Sequence, residues 1–252
     1  MSRRLLTGIA LLLAVAGCGG GQPPEETTAL TVADEPPPPL PGEGTITGKI
    51  TFEGTPPTMQ IIRMTSDPLC MTEGATSEVL IVGPDNGLVN AFVYVKDGLG
   101  DRTFQAPKTP VVLDQVGCRY TPHVFGVQIG QPVRILNSDN TLHNVNARTK
   151  VNDEFNFAQL RAGVENIVTF TAPEIMVPFR CDVHGWMNSY AGVVPHPFFT
   201  VTGDDGTFEI KGLPEGTYTL EAWHERLGTQ TTTVTSDGKT PVNAAFTFKG
   251  DA

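Results

Sequence analysis

The segment Phe179-Arg180-Cys181-Asp182-Val183-His184-Gly185-Trp186-Met187 carries a thiol, an imidazole and a thioether in the order Cys-x2-His-x2-Met. The run from Pro178 to Cys181 reads as the end of a strand, so the three donors fall in one loop between two strands. A second imidazole, His143, stands well upstream and is followed directly by Asn144. Thiolate and thioether suit a soft monovalent ion, and imidazole suits both that ion and its divalent form. The set therefore points to a copper ion held by His143, Cys181 and His184, with Met187 as a weak axial donor.

Outward from this loop the chain is rich in strand signals. Thr45 to Phe52 alternates with period two, and Leu88 to Val95 reads as a buried strand. Val124 to Ile129 and Val133 to Leu136 flank Gly130-Gln131 as if across a hairpin turn. Asn166 to Thr171, Phe198 to Thr202, Thr207 to Ile210, Thr217 to Trp223, Thr229 to Thr235 and Val242 to Phe248 continue the pattern. Turn residues separate them at Gly203-Asp204-Asp205-Gly206, Pro214-Glu215-Gly216 and Ser236-Asp237-Gly238. Asp153 to Arg161 is ambiguous between helix and strand. Many short strands with Gly and Pro turns predict an all-β protein of packed sheets.

Two family resemblances refine this expectation. The stretch from Tyr120-Thr121-Pro122-His123 through Gly130-Gln131-Pro132 to Asn137-Ser138-Asp139, then His143-Asn144-Val145, then Phe179-Arg180-Cys181, His184 and Met187, resembles a cupredoxin. The short ligand loop is similar to that of amicyanin. The resemblance implies a Greek-key β-sandwich over residues 105–195 and one type 1 (blue) copper ion. It also implies that Asn144 ties the Cys181 loop to the His143 strand. One ring nitrogen of His184 would reach the surface inside an apolar patch that Trp186 helps to build.

The second resemblance is split. Gly44 to Phe52 and Leu88 to Val95, then Asp205-Gly206-Thr207-Phe208 and Leu213-Pro214-Glu215-Gly216-Thr217-Tyr218, look like the opening and the close of a carboxypeptidase-regulatory-like, transthyretin-type sandwich. It implies a discontinuous host over residues 44–104 and 196–252, with the cupredoxin inserted in a loop. A single enlarged cupredoxin with extra strands is the alternative.

Arg3-Arg4, the apolar run from Leu5 to Ala16, and Val15-Ala16-Gly17-Cys18 resemble a bacterial lipoprotein leader. Residues 1–17 are then a signal peptide and Cys18 is lipidated. The remainder is exported to the periplasm or cell envelope and held to the membrane by a lipid anchor only. Residues 18–43 contain Gly19-Gly20-Gly21 and Pro36-Pro37-Pro38-Pro39 and read as a flexible linker. Export favours disulfides. With Cys18 assigned to lipid, Cys70 and Cys118 form the expected pair and Cys181 is left for metal; pairing of Cys181 with another cysteine is the alternative. His123, His196 and His224 remain as candidates for a second metal site, against an ordinary role as hydrogen-bonded structural residues.

The chain has 17 Lys and Arg against 27 Asp and Glu, a formal net charge of -10. That balance speaks against nucleic acid as a partner, which requires basic patches. It suits docking to a basic protein. The expected function is transfer of single electrons between exported redox proteins, with a c-type cytochrome as the kind of partner and no organic substrate. Copper storage or delivery is the alternative. Copper enzymes resembling cupredoxins need further copper sites or a second loop cysteine, so the chain is not expected to be an enzyme.

Overall fold

A computed structural model describes residues 37–250, which belong to one compact unit. The expected leader, Cys18 and the linker as far as residue 36 lie outside the described residues. The described chain forms sixteen strands. In order they are β1 (Gly44–Glu53), β2 (Phe92–Asp97), β3 (Val111–Gln115), β4 (Tyr120–Thr121), β5 (Val124–Gln128), β6 (Pro132–Asn137), β7 (His143–Ala147) and β8 (Phe155–Gln159). Then follow β9 (Glu165–Thr169), β10 (Glu174–Arg180), β11 (Asn188–Val194), β12 (Phe199–Val201), β13 (Thr207–Leu213), β14 (Gly216–His224), β15 (Gly228–Ser236) and β16 (Val242–Lys249). The fold class is all-β, as the period-two runs require.

Four sheets form, and their pairing is nested. Strands β3 to β11 pair only with one another, in sheets ordered β5-β11-β10-β7-β8 and β4-β3-β6-β9. Strands β1, β2 and β12 to β16 build sheets ordered β12-β2-β14-β15 and β13-β1-β16. The apolar cores follow the same division. Ile46, Ile50, Leu88, Val93, Phe198, Tyr218 and Phe246 belong to an outer core, and Leu113, Tyr120, Val133, Val145, Phe179 and Val193 to an inner one.

Several local readings change. The residues from Leu88 do not enter a strand until Phe92, because Asn90 takes a positive φ and turns the chain. The ambiguous stretch from Asp153 resolves as β8. The turn at Gly130, φ 83°, is not a hairpin: β5 pairs with β11 while β6 pairs with β3 and β9. Local alternation marks both strands but carries no information on which sheet each joins. Finally, part of the β1–β2 connection belongs with the inner core. Met64 and Cys70 are buried there, with Ile62 and Ala75 packed against them.

The two sandwiches meet through aromatic rings. Phe92, Tyr94, Val124, Met176 and Val194 form a third buried cluster, with Tyr190, Phe199 and Trp223 against it. Phe92 lies over Gly192, where a Cβ would come 2.3 Å from the ring, and Phe199 lies over Gly126, where the corresponding distance is 2.2 Å. Glycine is required there for close approach. Phe92 is fully buried and has nowhere to move. Gly192→Ala is therefore expected to lower stability by about 1–3 kcal/mol, the usual cost of overpacking. Denaturant unfolding measures it, and an unchanged midpoint would contradict this packing.

Candidate metal centre

The donors reach one point from two directions. His143 opens β7, which lies between β10 and β8 in the inner five-stranded sheet. Cys181 follows the last residue of the neighbouring β10, and His184 and Met187 complete the turn into β11. The loop is closed by its own backbone: the Met187 N–H donates to the His184 carbonyl at 2.9 Å, and the Cys181 N–H to the Met187 carbonyl at 3.3 Å. All four side chains are buried at 2% exposure or less.

His143 Nδ1 and His184 Nδ1 stand 2.9 Å apart, and Cys181 Sγ lies 3.9 Å from His184 Nδ1. One donor atom from each of the three residues falls within 4.8 Å of the others. Both outer nitrogens face carboxylates: His143 Nε2 is 2.9 Å from Asp139 Oδ2, and His184 Nε2 is 3.5 Å from Asp67 Oδ2. A carboxylate on Nε2 holds the proton there and leaves Nδ1 as the electron-pair donor. Two such Nδ1 atoms and a sulfur facing one another can offer three electron-pair donors to one cation.

The titration behaviour says the same. Burial pushes the Cys181 thiol up, but hydrogen bonds from His143 and surrounding backbone groups outweigh it and hold the thiol below its ordinary value. Burial pushes His143 down, but Cys181 and Asp139 outweigh it and raise the imidazole. Burial, and then repulsion from His143, lowers His184. Cys181 and His143 thus each favour the other's charged form, and His184 is shifted toward its neutral form. A soft metal cation satisfies the same three donors, so the residues fit copper.

Asn144 links the two ligand-bearing segments. Its Oδ1 accepts from the Asp182 and Val183 N–H groups at 2.6 and 3.3 Å and lies 3.4 Å from Cys181 Sγ. Its Nδ2 donates to Asn156 Oδ1 and Asp182 Oδ2. The sulfur also accepts the His184 N–H at 3.3 Å.

The disulfide Cys70–Cys118 is present, and Cys181 is free and buried. The bridge stands against the site: Cys70 Sγ is 3.7 Å from His184 Nε2. Trp186 packs on the His184 ring at 5.1 Å between centroids and donates its indole N–H to the Cys118 carbonyl at 3.0 Å. His184 is 1% exposed. The expectation that its outer nitrogen reaches the surface is therefore corrected, because Asp67 and the disulfide occupy that edge.

His123, His196 and His224 are not brought together with other donors into any cluster of three among the described residues. His123 faces Glu225 Oε1 at 2.6 Å and the Asn188 carbonyl at 3.1 Å. His196 Nε2 donates to the Val95 carbonyl at 2.8 Å, and its Nδ1 accepts the Phe198 N–H. His224 Nδ1 accepts the Arg226 N–H at 3.2 Å, and burial pushes its pKa down to about 4. Each is engaged in hydrogen bonds of the structural kind that was weighed against a second site.

Sequence reasoning missed Asp67 and Asp139. Asp139, four residues before His143, could have been suspected from that spacing. Asp67 carries no local signal, since it comes from the β1–β2 connection.

No described protein family and no curated protein matches the chain. Among solved structures it is similar to the copper-containing nitrite reductase of Thermus scotoductus SA-01, at 23% identity and TM-score 0.32, over 38% of this chain and 24% of that one. It is similar to a purple cupredoxin from Nitrosopumilus maritimus, at 18% identity and TM-score 0.29, over 33% of this chain and 98% of that one. It is similar to a Cu(I) form of an amicyanin variant, at 19% identity and TM-score 0.30, over 40% of this chain and 97% of that one. These likenesses are distant and partial, so the reading of the site rests on its own donors.

Proposed function

We propose that this protein is a type 1 copper protein that passes single electrons between redox proteins outside the cytoplasm, tethered through lipid on Cys18, and that it is not an enzyme. The observation that carries the reading is the meeting of His143 Nδ1, His184 Nδ1 and Cys181 Sγ at one buried point while both Nε2 atoms face carboxylates. His143, Cys181 and His184 would hold the metal, with Met187 in the same loop as the weak fourth donor. Copper bound there supplies one-electron cycling between Cu(I) and Cu(II). The protein's part is to keep the donors in place as the charge changes. Asn144 ties the loop to β7, the carboxylates orient the imidazoles, and burial excludes water and small substrates. The nested strand pairing supports reading residues 44–104 and 196–252 as a discontinuous host; its carboxypeptidase-regulatory type rests on the sequence resemblance alone.

Titration of purified protein with copper tests this. The expected result is one copper per chain, an intense visible band and reversible one-electron reduction. A colourless protein that takes only Cu(I) would overturn it, and two coppers per chain would contradict the single-site reading.

A further inference from the structure

Asp182 follows Cys181 directly in the ligand loop, and its carboxylate gathers three asparagine side chains. Asn144 Nδ2, Asn146 Nδ2 and Asn156 Nδ2 each donate to Asp182 Oδ2 at 3.0 Å. Asn146 Nδ2 also lies 3.3 Å from Oδ1, and Arg148 Nη2 lies 3.8 Å from the same oxygen. Asn144 and Asn146 stand two residues apart on β7 and so share one face of the sheet. Asn156 is paired with Asn146 across β7 and β8. One side chain thus fastens the ligand loop to two strands.

The cluster also fixes which way the Asn144 amide points. Its NH2 group meets two acceptors, Asn156 Oδ1 at 2.8 Å and Asp182 Oδ2. Asn144 Oδ1 is thereby kept for the Asp182 and Val183 N–H groups, beside the Cys181 sulfur. An ionised carboxylate only accepts, so it takes three amide donors without presenting a competing one. Asp182 further brings a negative charge to a loop that carries three of the four donors. An anion near copper favours the divalent over the monovalent ion. The Asp182 side chain is 44% exposed, so solvent screens part of that charge, and Arg148, 58% exposed, offsets part of it.

We propose that Asp182 is a positioning residue with an electrostatic role: its carboxylate holds Asn144 against the Cys181 loop, and its charge biases bound copper toward Cu(II). This role presupposes the copper reading above and concerns how that site sets its own redox balance.

The test equilibrates copper-loaded full chain against a one-electron redox mediator and reads Cu(II) from the visible band. Asp182→Asn keeps the shape and one oxygen for the three amides but removes the charge. It is expected to raise the ratio of Cu(I) to Cu(II), at a fixed mediator potential, by about two- to fivefold. The difference should shrink as salt is added. Arg148→Gln removes the offsetting cation and is expected to shift the ratio in the opposite direction. Glu209→Gln makes the same charge change as Asp182→Asn on β13 of the outer sandwich and should leave the ratio alone. Asp182→Ala removes the acceptor as well, and in competition with a chelator it should weaken copper binding by about tenfold or more, as loss of an outer hydrogen-bond partner does. An unchanged ratio in Asp182→Asn, or shifts of the same sign in Asp182→Asn and Arg148→Gln, overturns the electrostatic role. Copper held as tightly by Asp182→Ala as by the unmodified protein overturns the positioning role. If Asp182→Asn loses the band, Arg148→Gln alone decides the electrostatic role by the sign of its shift. Absence of any visible band in the unmodified protein overturns the copper reading, and the role of Asp182 with it.

Discussion

Cys181→Ser is expected to abolish the intense visible band of the copper-loaded protein while leaving its fold intact. The band of a type 1 site arises from charge transfer between a thiolate and copper, and Cys181 is the free cysteine among the described residues. Serine is close in size, and the surrounding groups can accommodate it. Asn144 Oδ1 keeps its bonds to the Asp182 and Val183 N–H groups, and the loop keeps its backbone closure. A hydroxyl does not ionise as the Cys181 thiol does, so the imidazole pair loses its anionic partner. Loss of an outer hydrogen-bond partner typically costs about 10–100-fold in metal affinity, and loss of the thiolate itself should cost more. Absorption and EPR spectra, with competition against a chelator, measure both effects. A serine variant that kept the band would remove Cys181 from the site.

Cys70→Ser/Cys118→Ser is expected to lower stability and to speed the loss of copper. The bridge closes a loop of sequence separation 48 between the outer sandwich's connection and the inner sandwich. Removing a native disulfide from a domain of this kind costs about 2–5 kcal/mol. Much of the β1–β2 connection should stay in place, because Met64 remains in the inner core and Arg119 still holds Glu78 and Thr76. The segment around Cys70 loses its anchor, and with it the sulfur that lies 3.7 Å from His184 Nε2. Denaturant unfolding reads the first effect, and the half-time of copper removal by a chelator reads the second. If stability falls and the half-time does not change, the bridge braces the sandwich without shielding the imidazole.

The two outcomes trace back to different levels of information. Cys181, His184 and Met187 lie within seven residues, so their order and spacing could be read directly, as could the strand that delivers them. Period-two alternation marked most of the strands because each sheet has one buried face. It failed at Leu88, where Asn90 turns the chain, and at Gly130, where adjacent strands enter different sheets. His123, His196 and His224 looked like available ligands because a sequence does not show the carbonyls, amides and carboxylates that engage them.

The sequence by itself determined the all-β class, the donor types and the loop that carries three of them, since these follow from local pattern and side-chain chemistry. Only the tertiary structure decided that His143 Nδ1 faces His184 Nδ1, that Asp139 and Asp67 stand behind the two rings, and that the disulfide roofs the site. Cys70 meets His184 across 114 residues of chain. Contacts of that separation are set by how whole sheets pack, and no local periodicity encodes them.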